Sequence, residues 1–166
     1  MAGDSAGSNL VALTLLYLRD HGQNIAMPAG AVLMSPWVDM TAKETEDSPN
    51  FWNDFMFNFK EQTPMMNNAL RPSELPYNTA EISAVLAADV GRLPPQLVLY
   101  SSTELLASDS LRWIARSREA GVEVVASDFP GEMHTFAVGW PMASRSVYRR
   151  SDELFIRFVL QRAGAG

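Results

Sequence analysis

The chain has 166 residues, 13 of them Lys or Arg against 19 Asp or Glu, for a formal net charge of -6, and hydrophobic residues make up 47%. That is enough chain for one domain with its own apolar core, and an acidic balance without a basic stripe argues against a nucleic-acid partner. Cysteine is absent, which excludes disulfides and thiolate chemistry, and no apolar run approaches the ~18 residues of a membrane-spanning helix.

Taken in chain order, the first element follows a short glycine-containing start. Leu10, Leu13, Leu16 and Tyr17, with Val11, Leu15 and Leu18 beside them, have the spacing of a helix packed over much of its surface. His21-Gly22 ends it, with Gly22 as the cap and His21 as a surface residue favoured by the helix dipole. Ala31-Val-Leu-Met-Ser35, bounded by Pro36, is a short apolar run of the kind found in buried parallel strands. Residues 37–80 are rich in Asn, Asp, Pro, Phe and Met and read as an insertion of small helices and long loops. Within it Phe51, Phe55 and Phe59, with Trp52 alongside, predict a short amphipathic helix.

Leu97–Tyr100 reads as a second strand, 110–120 as a helix capped by Gly121, Val122–Ala126 as a third strand, and 146–162 as a final helix. Arg145, Arg149 and Arg150 read as a solvated face of that helix. Strands alternating with helices imply parallel crossover units and a layered α/β domain.

Gly3-Asp-Ser5-Ala-Gly7 fits the pattern G-x-S-x-G, followed directly by a helical pattern. A serine that must attack a carbonyl has to stand clear on a sharp turn between strand and helix, which calls for small neighbours on both sides. The Ala6 backbone amide and the positive end of the helix then face the oxygen under attack. No Lys follows the turn, so a phosphate-binding loop is not indicated. The strand leading to Ser5 is expected to have at most two residues within this chain.

Of the two histidines, His134 lies in Phe129-Pro-Gly-Glu-Met-His134-Thr-Phe136, a loop directly after the third strand, where α/β proteins place reactive groups. A carboxylate is needed to orient such an imidazole. Glu104 stands just beyond the second strand. Asp109 stands before a helix, where it makes a good N-terminal cap. Either completes the chain order nucleophile, acid, histidine expected of an α/β-hydrolase.

Taken together, these segments resemble the hormone-sensitive-lipase-like family of α/β-hydrolases, also called the fold-3 or type IV esterase group. The resemblance rests on Gly3–Gly7 with Asn9-Leu10, Ser35-Pro-Trp-Val-Asp39, Leu93-Pro-Pro95 with Leu97–Leu99, Glu104-Leu-Leu with Asp109-Ser110, Ala120-Gly-Val122, and Pro130-Gly131 with His134 and Phe136, spanning about residues 1–160. Ser8 stands where the family usually has a further glycine.

The resemblance implies a partial α/β-hydrolase fold, a mostly parallel sheet with flanking helices and with the amino-terminal strands missing. Residues 1–163 would form the carboxyl-terminal part of that domain, with the helical and loop insertion at about 37–80. It implies hydrolysis of carboxylic esters through an acyl-enzyme, with Ser5 as nucleophile, His134 as base, Glu104 as first choice of acid and Asp109 as runner-up, the Ala6 amide at the oxyanion, and no cofactor or metal. Phe51, Trp52, Phe55 and Phe59 are candidates for an acyl pocket. A small-molecule ester is the expected partner, with no nucleic acid and no membrane span; oligomeric state stays open, a homo-oligomer included. The family's His-Gly-Gly segment, which completes the oxyanion site, does not occur here, so the chain is expected to be a fragment with weak or no activity. A lactone or carbamate hydrolase and a catalytically inert interaction protein are the competing readings.

Overall fold

A computed structural model describes residues 1–54, 75–138 and 143–164. Its centre is a four-stranded sheet of β1 (Ala2–Asp4), β2 (Ala31–Met34), β3 (Gln96–Tyr100) and β4 (Val124–Asp128), in spatial order β1-β2-β3-β4. Every neighbouring pair is parallel. Four α-helices accompany it among the described residues, α1 (Ala6–His21), the short α2 (Lys43–Glu46), α3 (Ala107–Glu119) and α4 (Arg145–Ala163), with one 3-10 turn at Ala84–Leu86.

The strands alternate side chains between two apolar layers, as the pleat requires. Ala31, Leu33 and Val98 face one layer, with Val11, Ala12, Leu15 and Leu16 of α1 and Trp113 and Ile114 of α3. Val32, Leu97 and Leu99 face the other, with Phe129, Phe136 and Phe158 of α4. Trp113 is fully buried, and its indole N–H donates to Gln96 Oε1 at 2.8 Å. Truncating such an aromatic to Ala costs about 3–5 kcal/mol, because the void does not fully close. The fold is therefore the layered parallel α/β arrangement that the sequence implies.

Several elements differ in detail. The strand before Ser5 has three residues rather than at most two, because Ala2–Asp4 pairs with Val32–Met34. Helix α1 buries Ser8, Val11, Ala12, Leu15 and Leu16 and leaves Leu10 and Tyr17 exposed, so the buried stripe is turned from the expected one. Strand β4 begins at Val124, two residues later than expected. Val122 belongs to the preceding turn, and its side chain plugs the core from there. Gly121 takes φ +80° in that turn, a conformation that favours glycine. Gly22 does end α1, by a different route: a β-carbon there would stand 2.5 Å from the Leu18 carbonyl oxygen.

Helix α3 starts at Ala107, so Asp109 lies inside its first turn rather than at its cap. On α4, Ile156 and Val159 are largely exposed instead of feeding the core, while Phe158 is buried. Residues 51–53 form a turn rather than a helix, and Phe55 and Phe59 lie outside the described residues.

Candidate active site

The functional candidates gather at the carboxyl ends of the strands. Ser5 follows β1, Ser35 follows β2, Glu104 lies four residues beyond β3, and His134 lies six beyond β4. Parallel strands put all these loops on one rim, the usual ligand edge of such sheets.

Ser5 occupies a sharp turn with φ 50° and ψ -125°. Strain of this kind costs on the order of 1–3 kcal/mol and persists only where the surroundings impose it. They do so here. The Ser5 amide donates to the Met34 carbonyl at 2.9 Å, and its carbonyl accepts from the Ser8 amide at 3.0 Å and the Trp37 amide at 3.1 Å. Gly3 is required sterically, since a β-carbon there would stand 2.4 Å from the Gly7 carbonyl oxygen. Gly7 is not required in that way, as a β-carbon there meets nothing within 4 Å. Only one of the two flanking positions must therefore be glycine for lack of room. Ser8 is fully buried, and its hydroxyl donates to the Gly3 carbonyl at 2.8 Å, so the departure from glycine adds a brace to the turn.

His134 is 2% exposed, and its ring lies between two partners. Nε2 is 2.8 Å from Ser5 Oγ, and Nδ1 is 3.0 Å from Glu104 Oε2. An ionised carboxylate only accepts, which assigns the proton to Nδ1 and leaves Nε2 to accept from the serine hydroxyl. Glu104 is fully buried, and its other oxygen, Oε1, accepts from the Ser101 amide at 3.1 Å. The Ala6 amide is the first of α1, among the helix donors with no partner inside the helix.

Asp109 is not behind the imidazole. It is fully buried, and its Oδ2 accepts from the amides of Val38 and Asp39, both at 2.8 Å. Burial pushes its carboxyl up to about 7, against the pull of those two amides. Its oxygen Oδ1 has no hydrogen-bond partner among the described residues. Asp39 in turn holds Arg112 at 2.6 Å, and its carboxyl is lowered: burial raises it, and hydrogen bonds from Thr41 and Arg112 outweigh that.

The proposed aromatic quartet divides. Phe51 packs on the cluster of Trp37, Met40, Leu105 and Leu106 that also receives Ala6, the residue after Ser5. Trp52 is 89% exposed and meets Phe51 edge-on. The segment carrying them holds the Glu104 loop from outside: Asn50 Nδ2 donates to the carbonyls of Ser102 (2.8 Å) and Glu104 (3.1 Å), and Asp54 accepts from the Leu105 amide at 3.0 Å. Asn50 and Asp54 were not legible as site residues, because a loop Asn or Asp is equally common as a turn former. Among the described residues, no group of three or more His, Asp or Glu side chains is arranged to hold a metal ion, and no helix is long and apolar enough to cross a membrane.

A parallel α/β sheet with a sharp serine turn at one strand end defines the α/β-hydrolase class. Residues 1–138 match the family model Abhydrolase_3, described as an alpha/beta hydrolase fold, and the chain belongs to that family. It is 32% identical over 142 residues to an esterase of Acinetobacter venetianus, covering 82% of this chain and 44% of that protein. It is 26% identical over 166 residues to an acetyl-hydrolase of Streptomyces hygroscopicus, covering 100% of this chain and 53% of that protein. Among solved structures, a hormone-sensitive lipase from a metagenome library superposes with TM-score 0.84 at 29% identity, covering 97% of this chain and 52% of that one. An esterase of the bacterial hormone-sensitive lipase family superposes with TM-score 0.77 at 30% identity, over 92% and 51%. The chain thus spans about half the length of the relatives it matches.

Proposed function

We propose that the chain carries the nucleophile, base and acid of a serine carboxylic-ester hydrolase, within the carboxyl-terminal part of a hydrolase domain (residues 1–163) that bears its insertion at about 37–80. The observation that carries this reading is the continuous contact Ser5 Oγ–His134–Glu104, with both links within 3.0 Å. Kinship with esterases supplies the substrate class.

In this mechanism the Ser5 oxygen attacks the ester carbonyl carbon while His134 Nε2 takes its proton. The buried Glu104 carboxylate fixes the ring and stabilises the imidazolium. The tetrahedral oxyanion is received by the Ala6 amide at the positive end of α1. The alkoxide leaves with the proton from His134, and water, deprotonated by the same nitrogen, releases the acid from Ser5. Phe51, which packs on the same apolar cluster as Ala6, borders the acyl group.

The reading is tested by covalent labelling of the 166-residue protein with a fluorophosphonate probe. Labelling that disappears in Ser5→Ala and in His134→Ala supports it. A folded parent chain that does not label overturns it. Labelling accumulates over hours, so it registers a nucleophile whose ester turnover is slow.

A further inference from the structure

We propose that two hydroxyls, those of Thr103 and Ser35, are positioning residues that fix the His134 loop against the acid loop on one side and the nucleophile turn on the other. The inference rests on the triad reading above and extends it to the groups that set its geometry.

The loop from Phe129 to Phe136 is anchored by burial of Phe129, Met133 and Phe136 in one apolar layer. Apolar contacts are non-directional, so they hold the loop without setting the ring to a fraction of an ångström. Two directional contacts do this. Three residues before His134, the Gly131 amide donates to Thr103 Oγ1 at 2.8 Å. One residue after it, the Thr135 amide donates to Ser35 Oγ at 3.1 Å.

Each acceptor is itself tied to one end of the relay. Thr103 precedes Glu104 directly, its hydroxyl lies 2.9 Å from that of Ser101, and the Ser101 amide binds the Glu104 carboxylate. Ser35 follows Met34, whose carbonyl receives the Ser5 amide, and the Ser35 amide is bound to Leu99 of β3 at 2.8 Å. Ser35 is fully buried, so its hydroxyl has little freedom to seek another partner. Ser35 and Thr135 also both lie at positive φ, 45° and 60°, as Ser5 does at 50°. Backbone strain thus marks both sides of the Ser35–Thr135 contact as well as the nucleophile. The His134–Glu104 link is therefore paralleled by Thr103–Gly131, and the Ser5–His134 link by Ser35–Thr135.

The two contacts predict different defects. Thr103→Val keeps the shape and removes the hydroxyl, which loosens His134 from Glu104. Ser35→Ala loosens His134 from Ser5 and leaves the ring on its carboxylate. The experiment is proton NMR of the imidazoles in the 166-residue chain, with His134→Ala used for assignment, alongside fluorophosphonate labelling rates. Thr103→Val is expected to broaden or abolish the low-field Nδ1 proton of His134, because the ring is loosened from its carboxylate. Thr103→Ser restores the signal. Ser35→Ala is expected to keep the Nδ1 signal while labelling slows about tenfold and contacts between the ring and the Ser5 methylene weaken.

If both variants keep the parent spectrum, the proposal is overturned, whatever the labelling shows. The same holds if the parent lacks the Nδ1 signal, or if the variants respond identically and in step with thermal stability. A parent that shows the signal without labelling instead refutes the hydrolase reading and leaves the positioning roles to be decided by the spectra.

Discussion

Gly3 and Gly7 lie so close across the serine turn that a β-carbon on Gly3 would stand 2.4 Å from the Gly7 carbonyl oxygen, whereas one on Gly7 would meet open space. The two glycines of the pattern are therefore not equivalent. Gly3→Ala must displace backbone and is expected to cost about 1–3 kcal/mol, the usual penalty of overpacking. Gly7→Ala, at an ordinary helical position, is expected to be neutral or to stabilise by about 0.5 kcal/mol through reduced chain entropy. Urea unfolding of the two variants beside the parent checks both; equal losses would contradict the asymmetry.

Glu104 and Asp109 are five residues apart and do different work. Glu104→Gln keeps the side-chain shape but no longer holds the imidazole in its required protonation, and labelling of Ser5 is expected to slow by about 10³–10⁴-fold. Asp109→Asn is expected to stay within about tenfold of the parent, since its Oδ2 accepts from the Val38 and Asp39 amides and the imidazole is held by Glu104 instead. Second-order labelling rates decide between them.

Asp109 makes stability depend on pH. Its folded value of about 7 lies above the ordinary 3.8, so the native chain holds a proton that the unfolded chain has released between those limits. Stability is highest at the acid end of this window and falls as pH rises through it, by up to about 4 kcal/mol of unfolding free energy. In Asp109→Asn this contribution is absent. Urea midpoints of parent and variant at pH 5 and pH 8 measure the difference; parallel pH dependence in the two proteins would refute it.

Asn50 holds the acid loop through two carbonyls, those of Ser102 and Glu104. Asn50→Ala removes both contacts and is expected to cost about 1–2 kcal/mol. Amide exchange is expected to rise in residues 101–106 before it rises in the sheet. Uniform exchange through the chain would contradict a local clamp.

Much of the arrangement was legible in the sequence where a residue type and a strand end coincide. Ser5, Glu104 and His134 each follow an apolar run closely, and a parallel sheet sends every such end to the same rim. Asp109 was misread because capping an N-terminus and accepting buried loop amides call for the same short carboxylate. Val122 was misplaced because an apolar residue plugging the core from a turn looks like the start of a strand. Strand β1 was underestimated because Ala-Gly-Asp has no strand propensity of its own, and its pairing comes from β2. Ser35 and Thr103 carry no periodic signal at all, since hydroxyls in loops become meaningful only when the fold brings another backbone to them.

Strand β1 is in register with β2 from Ala2 opposite Val32 to Asp4 opposite Met34. A slip of one residue in that alignment would turn the serine to the opposite face of the sheet. A slip of two would keep the face but carry the hydroxyl about 6–7 Å along the strand, beyond the imidazole. The alignment is also held beyond the end of the strand, by the Trp37 amide on the Ser5 carbonyl and the Ser8 hydroxyl on the Gly3 carbonyl. Substitution of Ser8, which touches no reacting atom, would then act by misaddressing the Ser5 hydroxyl rather than by disarming it.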